Sequence, residues 1–209
     1  MKVIGVLNQK GGVGKTTIST CLAVAFQQSG RNTVIIDLDP QATACFWHDV
    51  RENKSPAVIS VQPVRLKSML SAAKENGTDI VIIDGAAIQR EISYDVSAIA
   101  DYVIIPTKPA VFDITSMQET IKALRQNSVP FGVVLNMVSP RGAEVRDTLQ
   151  LKNIVGDNAC HITLGQRKDF FRAQNQGLAV QEYNPSGKAA KEIEKLYRYT
   201  CIEIYGDGK

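Results

Sequence analysis

A chain of 209 residues with 44% apolar and 22% charged residues has the composition of a soluble globular protein, which excludes disordered and fibrous classes. Its formal net charge of +3 is too small to announce a nucleic-acid partner by itself. The four cysteines, Cys21, Cys45, Cys160 and Cys201, contain no C-x-x-C pair; this excludes a metal knuckle or a small disulfide scaffold and reads as buried thiols in a reducing cytosol.

In chain order, the first element is the apolar run VIGVLN, which leads from Met1 and Lys2 into a glycine-rich loop and so does not read as a secretory signal. Similar Val- and Ile-rich runs follow: NTVIID, DIVIID, DYVIIP and FGVVLN, with VISV at Ala57 to Val61 and ACHITL at Ala159 to Leu164 as weaker strands. The intervening segments predict helices over Lys15 to Ser29, Arg65 to Asn76, Asp113 to Gln126, Ala143 to Ile154, Lys168 to Gln176 and Lys188 to Ile204. Near-continuous apolar strands separated by helices require a sheet covered on both faces. The fold class is therefore α/β, a doubly wound and mostly parallel sheet flanked by helices, and residues 1–209 are expected to form one domain. No apolar run approaches the about 18 residues of a membrane span.

The chemistry concentrates where strands end. After the first strand come Gly11, Gly12, Val13 and Gly14, then Lys15, Thr16 and Thr17 open a helix. Glycines let backbone N–H groups turn inward, and a helix N-terminus adds partial positive charge, so this loop is a phosphate cradle. Lys15 is then expected on the β and γ phosphates of a nucleotide, Thr16 on Mg²⁺ and Thr17 on the α phosphate. The competing explanation, a glycine turn with an incidental lysine, does not account for a strand before the loop and a helix after it.

Two carboxylate groups close later strands. IIDLDPQ supplies Asp37, Asp39, Pro40 and Gln41, and IVIIDGA supplies Asp84. A carboxylate after four apolar residues is held at a strand end, where it can face Mg²⁺ without lying buried and unpaired. Asp84 reads as the Walker B residue. A plain Asp-Pro turn is the alternative for Asp39.

Lys10, five positions before Lys15, has no place in the one-lysine P-loop pattern. With it, KGGVGKTT resembles the deviant Walker A motif of the ParA/MinD group of P-loop ATPases, and the likeness runs over essentially the whole chain. The resemblance implies that Lys10 acts in trans across an ATP-dependent homodimer. It makes D-x-D-P-Q the switch I motif, with Asp39 organising the attacking water and the Mg²⁺ shell and Asp37 in support. IIPTKP, Ile104 to Pro109, resembles the strand and loop after switch II. Where many members carry Pro-Pro after the Walker B aspartate, this chain has Gly85, Ala86 and Ala87, a Gly-Ala switch that resembles the small ParA-type proteins and leaves the implied ATPase activity intact.

The resemblance further implies an adenine contact at Asn136, for which a cap on the next helix is the alternative, and places Pro185 and Ser186 beside the base. Gly165 to Arg198 carries seven basic residues against four acidic ones, a surface suited to nonspecific DNA or simply a solvated helix face. For the DNA reading, Arg167, Lys168, Arg172, Lys188 and Lys191 are the candidates. The implied protein is a cytoplasmic, nucleoid-associated ATPase that partitions plasmid DNA with a centromere-binding, ParB-like partner. Alternatives are another cargo, a MinD-like membrane switch, and a metabolic or redox enzyme on the same fold. The tail IEIYGDGK, with Glu203 and Asp207, does not suit a basic amphipathic anchor, so no membrane association is expected. No cysteine lies between Cys45 and Cys160, which removes the ligands an iron-protein cluster would need. His48 and His161 lack acid or cysteine partners at ligand spacing, and Phe46 and Trp47 are expected to pack on the sheet.

Overall fold

The computed structural model describes residues 1–85, 90–110, 117–139 and 144–206. Seven strands, β1 (Lys2–Val6), β2 (Thr33–Asp37), β3 (Ala57–Ser60), β4 (Ile80–Asp84), β5 (Tyr102–Thr107), β6 (Phe131–Val138) and β7 (Ala159–Gly165), form one sheet in the order β3-β2-β4-β1-β5-β6-β7. Every neighbouring pair is parallel. Both weaker strand assignments hold, and they supply the two edges.

The apolar runs are continuous because each strand feeds two cores. Val3, Val81 and Val103 face one helix layer, whereas Ile4, Ile82 and Ile104 face the other. Complete burial of such a side chain contributes about 2 kcal/mol, so both faces must be covered for the sheet to persist. On the first face, Leu70, Val96, Ile121 and Leu151 come from α3 (Leu66–Glu75), α4 (Arg90–Ser97), α5 (Gln118–Gln126) and α6 (Glu144–Val155). The second face is covered by α1 (Lys15–Gln28), α2 (Thr43–Asp49), α7 (Lys168–Gln174), α8 (Val180–Tyr183) and α9 (Lys188–Tyr205). In α9, Ile193, Leu196, Thr200 and Ile204 are buried, so its apolar stripe docks on the core as its helical spacing suggests.

The five predicted helices outside the third fall within a residue or two of their expected bounds. The third begins at Gln118, and its expected start at Asp113 lies outside the described residues. Among the described residues, three short α-helices were not anticipated. The reason is clearest for α2: its first backbone N–H groups, those of Ala44 and Cys45, donate to Asp37 Oδ2 at 2.9 and 3.3 Å. The cap is a carboxylate on a neighbouring strand rather than a local side chain, so no start signal precedes Thr43.

After β1 the chain winds to β2 and β3 on one side, and after β4 it crosses to β5, β6 and β7 on the other. Loops separate at this reversal, and the glycine-rich segment occupies it.

Candidate functional site

The loop between β1 and α1 is held in shape from outside by two asparagines. Asn8 accepts the Lys10 N–H at 2.9 Å and donates to the Pro106 carbonyl at 2.8 Å. Asn136, at the end of β6, donates to the Val13 carbonyl at 2.7 Å. Gly14 is left-handed at φ 95°, and a Cβ there would lie 2.2 Å from the Asn136 amide nitrogen, so both conformation and space exclude a larger residue. A loop braced in this way does not need to reorganise when an anion arrives.

Lys15 is buried, 7% exposed, and its ammonium donates to the Lys10 carbonyl at 3.1 Å. Loss of water lowers its pKa, while the charges of Asp84 and Asp39 act in the opposite direction. The ammonium thus sits in a poorly hydrated loop, where an incoming phosphate meets little competition from solvent. Lys10 is half-buried on the same loop, beside the exposed Gly11 and Gly12.

Asp37 and Asp84 stand opposite one another in register at the ends of β2 and β4. Asp37 is fully buried; its Oδ1 accepts the Asp39 N–H at 2.9 Å and its Oδ2 accepts from Ala44 and Cys45. Burial raises its pKa, and these three donors oppose the rise. Asp37 therefore suspends the loop that carries Asp39. Asp39 is half-exposed and its Oδ1 accepts the Gln41 N–H at 2.9 Å, so its carboxylate keeps capacity for solvent.

Asp84 is different again. Its Oδ1 accepts from Ser19 at 3.0 Å, while Oδ2 is buried without a hydrogen-bond partner. Desolvation pushes its pKa up to about 7; the Thr16 and Ser19 hydroxyls and the Lys15 charge counter this, and the Asp37 charge adds to it. A buried carboxylate oxygen left bare beside a threonine hydroxyl and a lysine fits Mg²⁺. Asp84 and Thr16 would hold such an ion, with Asp39 at its solvent side. Among the described residues no three His, Cys, Asp or Glu side chains form a metal cage. Magnesium, when bound, neutralises charge on the phosphate oxygens. Gly85 follows at once because a Cβ there would meet Leu7 at 2.4 Å; Ala86 and Ala87 lie outside the described residues.

Beside the loop opens a cavity of about 870 Å³, lined by Thr16, Thr17, Asn136, Met137 and Phe171 among others. It is large enough for a base and ribose adjoining the phosphate cradle. Asn136 lines it, but its Nδ2 bonds Val13 and its Oδ1 accepts the Met137 N–H at 2.8 Å, so bracing the loop occupies much of its amide. Pro185 lies elsewhere. It lines a separate cavity with Ala25, Gln28 and Ser29, and Ala25 is roughly 15 Å along α1 from Lys15 at 1.5 Å per residue. Pro185 is thus not among the residues lining the cavity beside the loop, although Glu192 of the neighbouring α9 reaches Arg167 on that cavity's wall.

The basic residues divide into three situations. Arg167 is ion-paired with Glu192 of α9 and lines the cavity. Lys168 and Arg172 are exposed one helical turn apart on α7, flanking Phe171, which is 70% exposed. Lys188 and Lys191 are exposed in the first turn of α9. Phe46, expected to pack on the sheet, is 69% exposed, whereas Trp47 is buried as expected. His48 contacts the Lys54 carbonyl, and His161 is exposed against the Tyr199 ring.

Several contributors were not anticipated. Ser19 carries no motif, although it lies one turn beyond Thr16 on the face of α1 that meets β4. Arg51 is buried on α2's C-terminal side, makes a two-pronged pair with Glu182 (2.5 and 2.7 Å), and donates to the Gly177 carbonyl at 2.8 Å. It also stacks on Trp47, whose indole donates to the Leu178 carbonyl at 3.2 Å. No local signal joins residues 131 positions apart.

These features agree with comparisons to known proteins. The family model described as the CobQ/CobB/MinD/ParA nucleotide binding domain matches residues 4–180. The chain is 30% identical to the maintenance of carboxysome distribution protein A of Gloeobacter kilaueensis over 99% of this chain and 95% of that one. It is 23% identical to the sporulation initiation inhibitor protein Soj of Bacillus subtilis over 99% of each. Among solved structures, the septum site-determining protein MinD complexed with Mg-ADP from Pyrococcus horikoshii superposes with a TM-score of 0.79 at 18% identity, covering 95% of both chains. With the braced phosphate loop, the paired strand-end aspartates and a family model spanning most of its length, the chain belongs to the ParA/MinD family of P-loop ATPases, which bind ATP with Mg²⁺.

Proposed function

We propose that this ATPase is a dimerising switch that positions a cargo over nonspecific DNA. The observation that carries the reading is the convergence of a desolvated Lys15, an Asp84 oxygen without a partner, and an Asp39 suspended by Asp37 at the solvent side. Phosphoryl transfer needs positioning and charge stabilisation more than a strong base. Lys15 and the loop N–H groups neutralise the phosphates, and Asp39 orients the attacking water. Lys10, on the outer side of the loop, supplies its charge to the nucleotide of a second copy. Turnover is slow until a partner protein completes or stabilises the site.

In this reading the ATP-bound dimer presents Lys168 and Arg172 on α7, with Lys188 and Lys191 on α9, to the phosphates of nucleoid DNA in the cytoplasm. The cargo is engaged through a ParB-like partner and is a plasmid or another large body. The name of the 30%-identical relative, which refers to carboxysome distribution, supports the wider choice. Among the described residues no helix is long and apolar enough to cross a membrane.

The test is sedimentation of the Asp39→Ala protein with Mg·ATP and with Mg·ADP, followed by DNA and liposome binding at rising salt. A dimer with ATP alone, holding DNA in a salt-sensitive way, is the expected result. A monomer with both nucleotides removes the switch reading, and liposome binding without DNA binding replaces it by a membrane switch.

A further inference from the structure

Beyond Lys10 and Lys15, a third lysine reaches the phosphate loop. Lys108 lies one residue past β5, which is hydrogen-bonded to β1 with Ile104 opposite Val6. That pairing sets the β5 loop beside the loop that follows β1. A Cβ built on Gly12 would lie 3.9 Å from Lys108 Nζ, so the ammonium stands against the exposed apex of the cradle. Three features hold it there. The Pro106 carbonyl is bound by Asn8 at 2.8 Å, the Ala110 N–H donates to the Lys108 carbonyl at 2.8 Å, and Pro109 confines Lys108 to extended backbone.

Among the described residues no carboxylate forms an ion pair with Lys108. Asp39 and Asp84 are the acids that act on Lys15. Lys15 thus has acids acting on it, whereas Lys108 adds a half-buried positive charge at the exposed apex of the loop. An anion at the apex would be attracted by that charge.

We infer that Lys108 is a phosphate-binding residue in cis, contacting the terminal phosphates of the nucleotide from the β5 side. The inference rests on the reading of the loop as a triphosphate site. It assigns to Lys108 a part of the preference for ATP over ADP, because the added charge of the γ phosphate lies at the open end of the cradle.

The experiment is equilibrium titration of ATP and ADP, with Mg²⁺, into the unaltered protein and its K15A, K108Q and K108R variants, with thermal melts alongside. K108Q should weaken ATP by about tenfold and ADP by less, the scale of one partly screened charge, while K108R stays within about threefold of the unaltered protein. ATP binding by K108Q at full strength, with binding by K15A lost, overturns the inference and leaves the site reading intact. Equal weakening of ATP and ADP in K108Q also overturns it, since that is the mark of a distorted loop. If K15A binds ATP as well as the unaltered protein does, the site reading fails and the inference fails with it.

Discussion

Asp37 and Asp84 face one another across β2 and β4, yet Asp37 has both carboxylate oxygens occupied by backbone N–H groups and Asp84 keeps one oxygen bare. The first aspartate is committed to structure, whereas the second keeps an acceptor unused. Opposite substitution effects follow from this difference.

Asp84→Asn should stabilise the nucleotide-free protein and abolish its stabilisation by Mg·ATP. The folded-state pKa of Asp84 is pushed up to about 7, above the unfolded value of about 3.9, so the folded chain holds this proton more tightly than the unfolded one. The contribution is present in full below about pH 4 and is lost as the pH rises through 7. Thermal melts at pH 6 and 8 should show the advantage of the Asn variant growing toward pH 8, on the order of a few kcal/mol at most. A variant less stable than the original at pH 8 would contradict the account.

Asp37→Asn preserves shape but turns one acceptor into a donor that faces the Ala44 and Cys45 N–H groups or that of Asp39. It should cost about 2 kcal/mol in urea unfolding and slow hydrolysis by displacing Asp39. ATP affinity should change little, because Lys15 and the loop N–H groups are untouched. A loss of affinity equal to the loss of turnover would show that Asp37 acts on the nucleotide directly.

Asp39→Ala should leave ATP binding within a few fold while reducing single-turnover hydrolysis by about a hundredfold or more, the loss expected of a group that positions the nucleophile. Stability should hardly move, since Asp39 is half-exposed and its carboxylate holds one local turn. Rapid-quench measurement of phosphate release decides this, and hydrolysis at the original rate would assign the water to another residue.

Glu182→Ala should cost roughly 3–5 kcal/mol by leaving the buried Arg51 guanidinium without its partner. Replacing both residues, as Arg51→Met with Glu182→Leu, should cost less than the single change. A double-mutant cycle by urea denaturation measures the coupling, and Trp47, the one tryptophan of the chain, reports the transition through its contact with Arg51. Additive costs would mean that the pair is not energetically linked.

Much of this was legible in the residues. Apolar runs of four to six residues, with helix-length segments between them, already require a two-sided parallel sheet, because hydrophobic burial depends on pattern and little on exact neighbours. The cradle is equally local: Gly12, Gly14, Lys15 and Thr16 act through backbone geometry and charge that are contiguous in the chain. What tertiary structure alone decided were the unions of distant segments. Asn136 braces Val13, Asp37 starts α2, Arg51 meets Glu182, Lys108 reaches Gly12, and Pro185 shares a cavity with Ala25 of α1. Each depends on which strands become neighbours and how far a helix runs before the chain returns. Those outcomes are set by packing of the whole sheet, and no short stretch of residues encodes them.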